Sequence, residues 1–148
     1  VNLKEENIFL VDGAADAAKQ EKRFNDFLKD NKIDIQILGI GNNGHIGFNE
    51  PGEAFETETH CVDLTERTIE ANKRFFASID DVPKQAYTMG ILPIVQAKKV
   101  IMIANGKNKA DIIKKAFTGP VTPEVPASIL QMHPDFTLIA DEDALSEI

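Results

Sequence analysis

The chain has 148 residues, 43% of them hydrophobic and 27% charged, which is typical of one globular domain. Its net charge of −8 argues against nucleic acid as the main partner, because phosphate backbones are bound by clustered Lys and Arg. No apolar stretch approaches the roughly 20 residues of a membrane span. The single cysteine, Cys61, is typical of a reducing compartment. We therefore expect a cytoplasmic protein that binds neither nucleic acid nor membrane.

Short apolar runs alternate with helical patterns along the chain. Strands are predicted at residues 33–40 (with 35–38 buried), 86–89, 99–104 and 136–140, and residues 7–11 are predicted to be a strand or an extended entry. Helices are predicted at residues 14–30, 65–76, 91–96, 107–117 and 127–131, with a further helix starting at Ala144. Thr65 is the expected N-cap of its helix, and the polar residues 50–58 are expected to form a loop or lid. This alternation indicates an α/β domain with a doubly wound, mostly parallel, Rossmann-like sheet.

The stretch 39–52, Gly-Ile-Gly-Asn-Asn-Gly-His-Ile-Gly-Phe-Asn-Glu-Pro-Gly, is the most informative part of the sequence. It follows a predicted strand, and α/β proteins place their chemistry at the carboxyl ends of strands. Histidine titrates near neutral pH, so His45 is a candidate acid–base group that Glu50 can orient. Gly41 and Gly44 allow the backbone to approach a ligand closely. The alternative is a tight turn in which His45 bonds only to backbone.

The same stretch resembles the signature of the glucosamine-6-phosphate deaminases, also called glucosamine-6-phosphate isomerases. Five further segments stand in the family's order, namely residues 64–68, 71–76, 82–86, 88–90 and 130–134. The resemblance runs from about Leu3 to the end of the chain. It implies a hydrolase that converts glucosamine 6-phosphate and water to fructose 6-phosphate and ammonia. It implies neither a metal nor a redox cofactor.

The resemblance also implies roles for individual residues. His45 would act in opening the sugar ring, with Glu50 as its acidic partner, and Arg74 and Lys109 would bind the phosphate. Lys109 lies in the first turn of a predicted helix, where backbone N–H groups and the helix dipole favour anions. Asn43 is a departure, because many members of the family have Asp there. Asparagine can hydrogen-bond an imidazole but cannot stabilise an imidazolium by charge.

The chain is expected to be a fragment of a larger single domain. The resemblance implies that residues 1–148 match the middle and C-terminal parts of the enzyme. It places the aspartate that transfers a proton between C1 and C2 before Val1, so we expect little activity from these residues alone. Regulated relatives bind an effector through a basic pair, whereas residues 59–62 here are Thr-His-Cys-Val. We therefore expect a monomer without that allosteric site.

Three other functions remain open at this point. A 6-phosphogluconolactonase-like hydrolase would use a related scaffold, but residues 46–50 do not match its motif. A non-catalytic sensor of sugar phosphates would keep Arg74 and Lys109 without turnover. A nucleotide-binding module is less well supported, because no obvious helix directly follows the glycines. His60, His133 and Cys61 have no companions at ligand or nucleophile spacing, and we expect them to be structural.

Overall fold

The computed structural model describes residues 2–148, and the helices and strands alternate as an α/β fold requires. The strands are β1 (Ile35–Leu38), β2 (His60–Asp63), β3 (Gln85–Thr88), β4 (Lys99–Ala104) and β5 (Phe136–Ala140). The α-helices are α1 (Ala17–Asp30), α2 (Glu66–Asn72), α3 (Ile91–Val95) and α4 (Ala110–Thr118). Short 3-10 helices span Glu5–Asn7, Lys73–Phe75, Ile79–Asp81, Lys107–Lys109 and Pro126–Met132. Within residues 2–148, no helix combines the length and apolar character needed to cross a bilayer.

The main sheet is parallel, which confirms the predicted α/β class. Its three strands lie in the order β1-β4-β5, and both pairings are parallel. The carboxyl ends of β1 and β4 therefore meet at one edge of the sheet. The glycine-rich stretch leaves β1 at this edge, and the 3-10 turn Lys107–Lys109 follows β4 there. A separate antiparallel pair is formed by β2 and β3.

The hydrophobic core lies against one face of this sheet. Leu38, Val100 and Met102 point into it and pack with apolar side chains of α3, α4 and the turn Pro126–Met132. The opposite face is exposed: its isoleucines are 52–64% accessible, namely Ile35, Ile37, Ile103 and Ile139. The prediction of a buried strand at residues 35–38 was therefore wrong except at Leu38. The reason is that β1 is an edge strand, and among residues 2–148 nothing covers this face.

Two segments differ from a regular helix or strand. Of the two possibilities predicted for residues 7–11, the strand is not formed, because side chains of α1 contact this segment instead. Phe9 stacks on Phe27 with ring centroids 3.9 Å apart, and the Arg23 guanidinium donates to the Leu10 carbonyl at 3.1 Å. The helix predicted from Ala144 is a series of turns over residues 142–147. There the Ala144 N–H donates to the Asp141 carboxylate at 2.8 Å.

The remaining predicted helices and strands are confirmed to within a few residues. Thr65 is the N-cap of α2, since its hydroxyl accepts a hydrogen bond from the Thr68 N–H at 3.3 Å. The segment predicted as a helix at 127–131 is a 3-10 helix rather than an α-helix. Residues 50–58 form an irregular loop, as predicted. Strand β2 was not predicted as an element.

Candidate active site

The glycine-rich stretch forms a sharp turn that only glycine accommodates at two positions. Gly44 and Gly47 have φ values of 90° and 61°, in the left-handed region. A Cβ atom at Gly44 would also lie 2.9 Å from Cγ1 of Val125. The turn is anchored from outside, because the Ala127 N–H donates to the Gly44 carbonyl at 2.9 Å. The sequence therefore fixes the loop between β1 and the turn Pro126–Met132.

Gly41 makes room for the imidazole of His45. A Cβ atom at this position would lie 2.4 Å from Cε1 and Nε2 of the ring, far inside van der Waals contact. The Gly41 N–H also donates to the His45 carbonyl at 2.9 Å. Gly41 thus has a steric role next to His45, in addition to the predicted contact of Gly41 and Gly44 with a ligand.

The carboxylate of Glu50 makes three polar contacts, two with this loop and one with α2. Its Oε2 accepts from the Asn43 amide at 2.5 Å and lies 3.3 Å from His45 Nδ1. Its Oε1 accepts from the Thr68 hydroxyl at 2.5 Å. The Glu50 side chain is only 8% exposed and the His45 side chain 20%. The structure therefore brings together the predicted trio Asn43, His45 and Glu50.

The contacts of Asn43 differ from those expected. Its side-chain amide donates to Glu50 rather than to the imidazole, and its Oδ1 accepts from the backbone N–H of His45 at 3.3 Å. An Asn two residues before an N–H commonly forms such a turn, which turns the amide away from the ring. Asn43 therefore acts on the imidazole indirectly, through Glu50.

Three cations line the cavity next to this trio. The Lys109 ammonium donates to the Ile40 carbonyl at 2.8 Å and to Asn42 Oδ1 at 2.7 Å. Burial, and secondly the charge of Arg67, lower the Lys109 pKa from its ordinary value of 10.5. Arg74 packs over the Phe75 ring at 4.7 Å. Within residues 2–148 none of these three cations forms a salt bridge, so the cluster is available to an anion.

The cavity itself has a volume of about 400 Å³, enough for a small organic molecule. Its walls come from the glycine-rich loop, helix α2 with the turn after it, and Lys109. His45 on one wall, with Glu50 behind it, and cations on the other wall suit a small anionic substrate that needs proton transfer. Three residues were expected to be structural and do not line this cavity, namely His60, His133 and Cys61.

Sequence reasoning missed Arg67 and Thr68, although a signal for Arg67 was present. Arg67 precedes Arg74 by seven residues, which is two turns of a helix and places both on one face. Thr68 carries no such signal, because its partner Glu50 is eighteen residues away and the contact depends on how α2 packs against the loop.

Comparison with known proteins identifies the family of this chain. A family model described as glucosamine-6-phosphate isomerases/6-phosphogluconolactonase matches residues 1–138. Glucosamine-6-phosphate deaminase of Thermoanaerobacter pseudethanolicus is 51% identical over 100% of this chain and 59% of its own length. The enzyme of that name from Streptococcus thermophilus is 58% identical over 95% of this chain and 60% of its own.

A solved structure of a monomeric glucosamine-6-phosphate deaminase superposes with a TM-score of 0.93 at 43% identity. The match covers 98% of this chain and 61% of that one. The chain thus spans about three fifths of the length of the relatives it matches. The family model, the two curated relatives and this structure all agree with the family resemblance predicted from the sequence. The chain therefore belongs to the family of glucosamine-6-phosphate isomerases and 6-phosphogluconolactonases.

Proposed function

We propose that the protein containing this chain converts glucosamine 6-phosphate and water to fructose 6-phosphate and ammonia. The reaction is an aldose–ketose isomerisation that ends in hydrolytic release of ammonia. The observation that carries the proposal is the His45–Glu50 pair beside a cavity lined by three unpaired cations. Relatives more than 50% identical carry the name of this activity. Because the chain spans only part of their length, the activity is proposed for the whole gene product.

His45 opens the sugar ring in this proposal. When its Nδ1–H donates to Glu50, the other ring nitrogen, Nε2, carries a lone pair and acts as a base. Nε2 takes the proton of the C1 hydroxyl, the C1–ring oxygen bond breaks as the C1 carbonyl forms, and the proton passes to the ring oxygen. The transient imidazolium is stabilised by the nearly buried Glu50 carboxylate.

The three cations bind the phosphate of the substrate. Arg74 and Lys109 were predicted for this role, and we add Arg67, which lines the same cavity. Arginine pairs with phosphate through two parallel hydrogen bonds, whereas lysine acts as a point charge. Burial, and secondly repulsion by Arg67, lower the pKa of Lys109, and a dianion between these groups would offset that repulsion.

Isomerisation needs a further base, because a proton must move between C1 and C2. Among the described residues that line the cavity, none carries a carboxylate. We propose that this base belongs to the part of the relatives' length that the chain does not span. Residues 1–148 expressed alone should then release little ammonia, whereas robust release by a preparation of verified mass would contradict the proposal.

The decisive experiment measures ammonia release from glucosamine 6-phosphate by the full gene product. His45→Gln should lower kcat by roughly 10²–10⁴-fold, the usual contribution of a general acid–base group. His60→Gln is the matched control, because His60 bonds to the Glu58 carbonyl and does not line the cavity. Absence of release by the wild type would overturn the proposal. If the wild type still bound the phosphosugar tightly, the protein would instead be a sensor.

The same preparation should be tested for lactonase activity, because the family model covers both enzymes. Residues 46–50 carry the deaminase-like sequence Ile-Gly-Phe-Asn-Glu, so we expect no hydrolysis of 6-phosphogluconolactone. Rapid hydrolysis of that lactone without ammonia release from the amino sugar would reverse the assignment.

We further propose a cytoplasmic monomer without an effector site for N-acetylated sugar phosphates. The cavity near the expected effector region has about 320 Å³ and is lined by Glu53, Glu56 and His60, with neither Lys nor Arg among its described lining residues. Carboxylates there would repel a phosphate. The similar solved structure is that of a monomeric deaminase. A sigmoidal rate curve relieved by N-acetylglucosamine 6-phosphate, or a hexamer by light scattering, would contradict this.

A further inference from the structure

Thr68 contacts the candidate active site through the carboxylate of Glu50. The side chain belongs to α2, and the residue is only 5% exposed. Its hydroxyl donates to Glu50 Oε1 at 2.5 Å, a short distance typical of an O–H bond to a charged acceptor. The Thr65 hydroxyl lies 3.0 Å from the Thr68 hydroxyl and completes its hydrogen bonding. The buried Thr68 hydroxyl is thus held between the Glu50 carboxylate and the Thr65 hydroxyl.

This bond determines how the carboxylate is rotated. The last torsion of a glutamate side chain is broad, so a bond to one oxygen alone leaves its plane free to turn. Here Oε2 is fixed by Asn43 and His45, which belong to the glycine-rich loop. Oε1 is fixed by Thr68 from a different element. The two anchors together set the plane of the carboxylate and hence the direction in which it meets His45 Nδ1.

Helix α2 links this carboxylate to the cations. Arg67 is the neighbour of Thr68 in the helix, and Arg74 lies in the 3-10 turn that directly continues α2. Both arginines line the same cavity as His45. The Asn72 amide donates to the Thr68 carbonyl at 2.8 Å and ties the end of the helix to this position. A displacement of α2 would therefore move the arginines and release Glu50 together.

We propose that Thr68 is a positioning residue that orients Glu50 toward His45 and keeps this pair in register with Arg67 and Arg74. The inference rests on the function proposed above but concerns a residue that acts through Glu50, although it also lines the cavity. Its hydroxyl, rather than its methyl group, carries the role. Thr68→Ser should therefore preserve the effect, and the isosteric Thr68→Val should lose it.

The test compares Thr68→Val and Thr68→Ser in the full gene product, with Thr59→Val as the matched control. Thr59 is equally buried, and its hydroxyl has no partner among residues 2–148. With glucosamine 6-phosphate, Thr68→Val should lower kcat by roughly 10–100-fold while KM changes by less than about threefold. Thr68→Ser should stay within about threefold of wild type, and Thr59→Val should be unchanged. Equal losses in Thr68→Ser and Thr68→Val would overturn the hydroxyl's role.

The pH–rate profile gives a readout that a purely structural role would leave unmoved. A hydroxyl that donates to a carboxylate favours its charged form. Thr68→Val should therefore shift the acidic limb of kcat to higher pH by roughly 0.5–1 unit, the equivalent of about one hydrogen bond. An unshifted limb in Thr68→Val would contradict the inference.

A double-mutant cycle tests the contact without any activity. The Tm losses of Thr68→Val and Glu50→Ala should sum to more than the loss of the double variant, because each single change already breaks the shared bond. Additive losses would overturn the inference. An inactive wild type with non-additive Tm losses would refute the proposed function while supporting the link between Thr68 and Glu50.

Discussion

Replacing Gly41 by Ala would move the imidazole of His45 while leaving the backbone unstrained. Gly41 is not among the glycines with positive φ, so alanine can adopt its conformation. The new Cβ would lie 2.4 Å from Cε1 and Nε2 and 2.5 Å from Cδ2 of His45. Ordinary contact begins at 3.4 Å, so the ring must retreat by about 1 Å. His45 Nδ1 is already 3.3 Å from Glu50, and a bond of that length does not survive such a shift.

The expected loss follows from this displacement. A misplacement of about 1 Å costs roughly 10²-fold in rate, or about 2.7 kcal/mol of transition-state stabilisation. In the ammonia-release assay, Gly41→Ala should lower kcat by about this factor. The matched control is Gly13→Ala, because a Cβ atom at Gly13 meets nothing within 4 Å. Both variants should fold, which circular dichroism would verify.

Full activity of Gly41→Ala would refute this reasoning. A crystal structure of the variant would then show where the argument fails. If the ring were displaced in an active enzyme, the position of His45 would not matter for turnover. If the ring had not moved, the close approach of Gly41 to the imidazole would be mistaken.

Three further predictions concern the cations and Asn43. Because the Lys109 pKa is lowered by burial and by Arg67, its charge is present below that pKa and is lost above it. KM for glucosamine 6-phosphate should therefore rise on the alkaline side at a lower pH in the wild type than an ordinary lysine would cause, and stay flat in Lys109→Arg; a flat wild-type KM would contradict this. Arg67→Ala and Arg74→Ala should each raise KM about tenfold for the phosphorylated substrate, with little change for glucosamine; an unchanged KM for either variant would remove that arginine from the phosphate site. Asn43→Asp should retain activity, but its carboxylate would face Glu50 in place of a donor, so its Tm deficit should grow from pH 5 to pH 8; a pH-independent Tm difference would count against it.

The parts of the fold that follow from local chemistry were predictable. The N-cap Thr65 and the strand and turn that lead to His45 were read from short patterns of residues, and the structure has them. The sequence left open whether residues 7–11 form a strand or an extended entry, because a strand needs a hydrogen-bonding neighbour that the sequence does not show. Phe9 instead stacks on an aromatic ring of α1.

The sequence indicated part of the candidate site. Asn43, His45 and Glu50 lie within one loop and were predicted together, whereas Arg74 and Lys109 were predicted from the family resemblance. Thr68 and Arg67 reach the same cavity from α2, and their placement depends on the packing of that helix against the loop. Strand β2 was missed for a similar reason, because its pairing partner β3 is distant in sequence. Asp63, the last residue of β2, pairs with Gln85, which is 22 residues further along the chain.

The exposed isoleucines of the sheet should lower the solubility of residues 1–148. Strands β1 and β5 each have one unpaired edge among the described residues, next to an apolar face formed by Ile35, Ile37, Ile103 and Ile139. Open edges beside apolar side chains template the addition of strands from other molecules. Residues 1–148 alone should therefore bind dyes that fluoresce on apolar surfaces and should precipitate on concentration. A longer polypeptide that buries this face should do neither. The decrease in dye fluorescence would therefore measure how much of the apolar face an added segment covers.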